Sequence, residues 1–120
     1  EMLKSTSYNL IIVDKKLRWE DKEVIFFNAT SLRELFALAS KSDIIITQDS
    51  GLLHIGAAFG IKTIVLFGPI DYKMRVYNNC YEIHKNTGCY PCWYKRCHER
   101  HCLKLIEVDD VFNLFKEVTK

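Results

Sequence analysis

No apolar run in this 120-residue chain approaches the roughly 20 residues needed to cross a bilayer. The longest candidates, YNLIIV and TIVLF, are strand-length, so a membrane span is not expected. The amino end, EMLKSTSYN, lacks the apolar stretch and small-residue cleavage site of a secretory signal, which sets the expectation of a cytoplasmic protein. A charge excess is missing too. Seventeen basic side chains face 15 acidic ones for a formal charge of +2, which argues against a dedicated polyanion binder and confines any basic patch to one place. Internal repeats and low-complexity linkers are absent. The cysteines do not make an even, spread-out set: there are five, and four of them crowd into residues 89–102. That pattern does not read as a secreted disulfide scaffold, and a reducing compartment suits it better.

What the chain does have is 48% hydrophobic residues at the length of one ordinary domain, enough to bury a core without staples. Residues 1–120 are therefore expected to form a single domain carrying a cysteine-rich loop at 89–102. Continuous β-branched runs at Leu10–Val13, Val24–Phe27, Ile44–Thr47 and Thr63–Phe67 read as fully buried strands of a parallel sheet, because they do not alternate. Between the second and third runs, SLRELFALAS places Leu32, Leu35, Phe36 and Ala39 on one helical face, with Ser31 and Glu34 as a capping box. GLLHIGAAFG is apolar nearly all round and ends on Gly60, as a buried crossover helix would. The closing VDDVFNLFKEVTK sets Val111, Phe112, Leu114, Phe115 and Val118 on one face, with Asp109 and Asp110 in its first turn. The expected fold is α/β, an open and mostly parallel sheet with helices on both faces. KKLRWEDKE, between the first two strands, is too short and charged for a packed crossover helix and leaves the local topology open.

In such a sheet, ligands bind outside the carboxyl ends of the strands. DIIITQDSGLLHIGAAFG is a strand, a tight turn and a helix in that order. Ser50 is placed to cap the helix, and Gly51 lacks the Cβ that would hold a ligand off the backbone. The first N–H groups of the helix then suit a phosphate. His54, one turn further in, is placed to donate to the same anion, Asp49 to bond sugar hydroxyls, and Gly68 and Pro69 lie beside that crevice. A plainer reading stands beside this one, in which Asp49–Ser50–Gly51 is an ordinary turn and His54 a satisfied core histidine.

The stretch LFALASKSDIIITQDSGLLHIGAAFGIKTIVLFGP resembles the carboxyl-terminal half of glycosyltransferase family 9, the ADP-heptose:lipopolysaccharide heptosyltransferases, with their D-[ST]-G-x-x-H-x-A-A-x-x-G signature followed by F-G-P-T. The likeness is close from Thr30 to Pro69 and looser through LIEVDDVFNLF. It implies a Rossmann-like half of a GT-B arrangement, with no cofactor and no metal required. The implied ligand is a nucleotide-sugar, expected to be ADP-linked. By this resemblance Ser50 and Gly51 meet the diphosphate, His54 supports it, Asp49 contacts the donor sugar, Thr30 lies against the adenine and Gly68 borders the site. An inverting transfer would expel the nucleoside diphosphate, and fixed N–H donors at a helix end stabilise that leaving group. The family's general base sits in the amino-terminal half, so no catalytic residue is expected here. A separate amino-terminal acceptor-binding domain or subunit is the implied partner, as is the inner membrane's cytoplasmic face through a lipid-linked acceptor. The chain alone is expected not to turn over. Ile70, Tyr72 and Gly56 depart from the family's threonine, proline and alanine, and the family's ribose-binding acidic residue has no counterpart that can be mapped.

The stretch CYPCWYKRCHERHC has a second interpretation. Cys89, Cys92, Cys97 and Cys102 have the 2-4-4 spacing of a zinc knuckle, with cysteine where that module has its histidine, and Tyr90, Trp93 and Tyr94 among Lys95, Arg96 and Arg100 suit single-stranded nucleic acid. Reduced thiols and disulfides remain alternatives to zinc, with His98 and His101 expected to face solvent, and Cys80 reads as a small buried hydrophobe. Because these cysteines interrupt a globular chain, no nucleic-acid partner is expected. A zinc-supported nucleic-acid-binding domain and a non-catalytic relative of the transferase are kept as the competing readings.

Overall fold

The computed structural model describes residues 2–14, 20–92, 97 and 99–120, and the chain divides into two compact units, Glu1–Leu38 and Ala39–Lys120. In the first, a 3-10 turn at Met2–Ser5 precedes strand β1 (Leu10–Val13), which pairs in parallel with β2 (Val24–Phe27) in the register Leu10 to Val24 through Val13 to Phe27. The parallel pairing resolves the topology that KKLRWEDKE left open, although residues 15–19 of that stretch lie outside the described ones. Lys4 anchors the turn before β2 by bonding Asp21, whose other oxygen accepts the Glu23 N–H at 2.9 Å. Neither strand is buried throughout, as their continuous apolar runs led one to expect. Burial alternates along β1, with Ile11 and Val13 exposed, and Ile25 of β2 is exposed as well. A sheet of only two strands does not by itself cover both of its faces.

Helix α1 (Leu32–Ser40) forms where its periodicity predicts. Its cap differs by one residue. Ser31 Oγ accepts the Glu34 N–H at 3.3 Å, but the Glu34 carboxylate reaches past Ser31 to the N–H and hydroxyl of Thr30, at 2.7 and 2.9 Å. Those two donors hold the exposed Glu34 carboxyl below the usual carboxylate range, the backbone N–H first.

The second unit contains β3 (Ile44–Gln48), α2 (Gly51–Ala58), β4 (Lys62–Leu66), β5 (Cys80–Ile83), a short α3 (His101–Lys104) and α4 (Val108–Val118). Its sheet runs β3-β4-β5, all parallel, with β4 in the middle. The elements alternate as an α/β fold requires, but among the described residues hydrogen bonding separates the five strands into a pair and a triplet. Thr63, Ile64 and Val65 of β4 are wholly buried, and so are Leu53 of α2 and Phe67 just beyond β4. Leu53, Val65 and Phe67 form the core cluster, against which Tyr72 and Cys80 pack. Cys80 is therefore part of the packing but only half-buried, not fully buried as its residue type suggested, and desolvation still raises its thiol above the ordinary range.

Two devices set the position of α2. At its carboxyl end Gly60 takes φ +68°, donates to Ala57 O at 3.1 Å, and Ile61 N donates to Gly56 O at 2.9 Å, the paired bonds of a Schellman stop. Asn79 Nδ2 adds a bond to Gly56 O at 3.1 Å and a second to Ile61 O, fastening the helix end to the approach to β5. Helix α4 buries Phe115 and Val118 and starts at Val108, with Asp110 accepting the Glu107 N–H at 2.8 Å. Lys62 of β4 donates to the Val118 carbonyl at 2.8 Å, a cation at the negative end of the helix dipole. Lys85, just past β5, pairs with Asp110 at 2.9 Å. Among the described residues, no helix is long and apolar enough to cross a membrane.

Candidate functional site

Strand β3 ends at Gln48 and α2 begins at Gly51, so Asp49 and Ser50 are the whole connection. Ser50 takes the extended backbone of an N-cap, φ −147°, ψ −179°, but its hydroxyl makes no cap bond. It pairs instead with the Thr47 hydroxyl at 3.0 Å. The sequence-based expectation of a Ser50 cap is thus corrected. The Thr47 side chain of β3 competes for the hydroxyl, and the first N–H groups of α2 keep no side-chain acceptor from their own cap. Leu53 N is turned back to Ser50 O at 3.1 Å.

Gly51 is exposed, and a Cβ built on it meets nothing within 4 Å. Asp49 is half-buried and makes no side-chain hydrogen bond among the described residues. The turn therefore presents a bare helix end beneath open space, with one carboxylate beside it. Such an end attracts an anion through its N–H groups and its dipole.

His54 is exposed, which removes the reading of it as a core histidine. Its Nδ1 lies 2.7 Å from the Tyr77 hydroxyl, and the rings meet edge-on with centroids 5.7 Å apart. Tyr77 was missed from the sequence: it sits in the long β4–β5 connection, where no periodicity marks it. Asp49, Ser50, Gly51 and His54 are thus gathered on one turn and one helix. Thr30 belongs to the first unit, where its N–H and hydroxyl are both committed to Glu34. Gly68 is buried, and a Cβ there would approach Leu103 Cδ2 to 3.1 Å, so the side of Gly68 without a side chain is taken by α3.

The residues after β4 hold the cysteine-rich loop. Asp71 accepts the Lys73 N–H at 3.0 Å and starts a 3-10 turn, Tyr72–Met74. Tyr72 stacks on His84 with centroids at 4.2 Å, and His84 stacks in turn on Tyr90 at 5.7 Å. The Tyr90 hydroxyl accepts the Tyr72 N–H at 3.0 Å and reaches Asp71 at 3.4 Å, and Cys92 N donates to Pro69 O at 2.6 Å. Tyr90 and Cys92, at the start of the loop, are thereby pinned to the segment following β4 by three rings and by bonds to its backbone. Tyr72, a departure from the family pattern, is what the stack rests on. Among the described residues, no group of three or more His, Cys, Asp or Glu side chains is placed to hold a metal ion. Cys89 and Cys97 are exposed thiols, with Thr87 Oγ1 3.2 Å from Cys89 Sγ and Arg100 N donating to Cys97 Sγ at 3.3 Å. Trp93, Tyr94, Lys95, Arg96 and His98, on which a nucleic-acid face would depend, lie outside the described residues.

Residues 9–103 match the family model for glycosyltransferase family 9 (heptosyltransferase). The chain is 30% identical over 98 residues to lipooligosaccharide heptosyltransferase 2 of Campylobacter jejuni serotype O:2, covering 78% of this chain and 31% of that protein. The protein of the same name from serotype O:6 is 30% identical over 97 residues, with 77% and 31% covered. The chain therefore spans about a third of the length of the curated relatives it matches. No solved structure matches it. A family model matched over residues 9–103, most of the chain, makes the chain a member of glycosyltransferase family 9, the heptosyltransferases.

Proposed function

We propose that the second unit binds the diphosphate of a nucleotide-sugar donor, ADP-linked, at the amino end of α2. The observation that carries this reading is the bare helix end: Ser50 caps nothing, and open space lies over Gly51. The N–H groups of the first turn receive the diphosphate, His54 adds a side-chain donor, and Asp49 faces the sugar hydroxyls. In an inverting transfer the bond from the anomeric carbon to the diphosphate breaks as the acceptor oxygen attacks. Negative charge then builds on the phosphate oxygens, and donors already in place lower that barrier without reorganising. The acceptor and its general base are supplied by a separate amino-terminal domain or subunit. The transfer serves lipopolysaccharide or a related glycan, with the acceptor presented at the cytoplasmic face of the inner membrane. The relatives it matches, both lipooligosaccharide heptosyltransferases, support that class of product.

Gly51→Val tests the reading directly. Because a Cβ at this position meets nothing in the protein, the variant should fold as wild type while its side chain occupies the ligand's space. Loss of ADP binding with unchanged thermal stability is expected. Undiminished ADP binding would contradict the placement.

A further inference from the structure

We propose that Tyr77 is a positioning residue that fixes His54 with Nε2 as the hydrogen-bond donor offered to the donor diphosphate, an inference that rests on the reading of α2 given above. The phenol is 2.7 Å from Nδ1 and the rings meet at 88°, so the hydroxyl engages one nitrogen and the ring edge limits rotation of the imidazole. A neutral imidazole has one donor and one acceptor nitrogen, and the partner of one nitrogen decides the role of the other. When the phenol O–H donates to Nδ1, the ring proton resides on Nε2. When the imidazole is cationic and Nδ1–H donates to the phenol oxygen, Nε2 still carries a proton. In both states Nε2–H is a donor, which is what a phosphate oxygen requires. The remaining arrangement, neutral Nδ1–H donating to the phenol oxygen, leaves Nε2 an acceptor that a phosphate repels, and it is the weaker bond because a phenol donates better than it accepts. His54 is exposed, and among the described residues Tyr77 is its one polar side-chain partner, so Nε2 is open to a ligand.

Tyr77 comes from the connection between β4 and β5, 23 residues from His54. Its carbonyl accepts the Cys80 N–H at 2.9 Å, which ties it to the first residue of β5 and gives the phenol a fixed base. The donor site thus extends from the helix that carries His54 to a loop outside the signature segment.

The test uses the full chain with ¹⁵N-labelled imidazoles, and compares wild type, Tyr77→Phe, His54→Gln and the double variant. In wild type, long-range ¹H–¹⁵N correlations should show neutral His54 with its proton on Nε2, and Tyr77→Phe should shift it toward a mixture of tautomers. A merely structural contact would not move that signature in a folded variant. Loss of one oriented hydrogen bond should weaken ADP about three- to tenfold in Tyr77→Phe. His54→Gln keeps an N–H donor without a tautomer to fix, so adding Tyr77→Phe in that background should change ADP affinity by less than about twofold. An unchanged tautomer in Tyr77→Phe overturns the inference. So does unchanged ADP affinity in that variant while wild type binds ADP, and this result leaves the donor-site reading intact. Failure of wild type to bind ADP overturns that reading and the inference with it.

Discussion

The hydroxyl of Thr63 occupies the place where a side chain on residue 56 would begin: a Cβ built on Gly56 lies 2.3 Å from Thr63 Oγ1. Thr63 is wholly buried in the central strand, and its hydroxyl is held by a 2.9 Å bond to Ile61 O. Helix α2 therefore rides close on β4 because one residue has no Cβ and its neighbour fills the gap. An alanine at this position, which the family's pattern has, is incompatible with this threonine unless one element shifts.

That relationship makes a stability prediction. Gly56→Ala gains about 1 kcal/mol in helix propensity but overpacks a buried contact, which costs about 1–3 kcal/mol and more when neither neighbour can yield. The urea midpoint should fall. Adding Thr63→Ala should give a double variant less destabilised than the sum of the single ones. Additive effects would show that the two residues do not share that space.

Asp110 predicts a dependence on acid. The Glu107 N–H first, and the Lys85 ammonium second, hold its carboxyl below the ordinary value of 3.8. A carboxyl depressed in the folded state contributes stability that is complete above its unfolded pKa and lost as pH falls through its folded one. Asp110→Asn should thus lower stability at neutral pH and narrow the gap to wild type below about pH 4. The checks are carboxyl ¹³C titration and chemical unfolding at both pH values. A gap that widens in acid would contradict the assignment.

Thiol chemistry should separate the cysteines. Cys89 and Cys97 are exposed, whereas Cys80 packs against Leu53, Val65 and Phe67 and has its thiol raised by burial. Timed alkylation read by peptide mass spectrometry should label Cys89 and Cys97 first and Cys80 last, because the thiolate is the reactive form. Early labelling of Cys80 in folded protein would contradict the packing.

The ring stack predicts how the loop is held. Tyr90→Phe keeps the stack on His84 and loses the hydroxyl's bonds to Tyr72 N and Asp71, while Tyr90→Ala loses both. Only the alanine variant should markedly speed alkylation of Cys92, which is half-buried beside Pro69. Equal rates in the two variants would remove the stack as the anchor.

Much of this was legible from residue order, and the reasons are specific. The β3 and β4 runs are continuous and apolar, and Gly60 marks the end of α2, so the strand–turn–helix could be placed within a residue. β5 was not seen, because Cys80–Ile83 is short and carries Glu82, a charge that an edge strand tolerates and an apolar run does not contain. The cap of α2 misled because Ser50 has a closer competitor in Thr47, which propensity does not register. Tyr77 and the Tyr72–His84–Tyr90 stack depend on residues distant in sequence, and no local pattern encodes such meetings. The departures at Gly56 and Tyr72 became intelligible only with their partners, Thr63 and His84.

The most direct test of the account is titration of ADP into the isotopically labelled chain, with adenosine as the control lacking phosphates. The account predicts saturable amide shifts at Ser50, Gly51, Leu52 and His54 with ADP and far weaker ones with adenosine. No movement at those residues with millimolar ADP or UDP, or equal responses to ADP and adenosine, would contradict it.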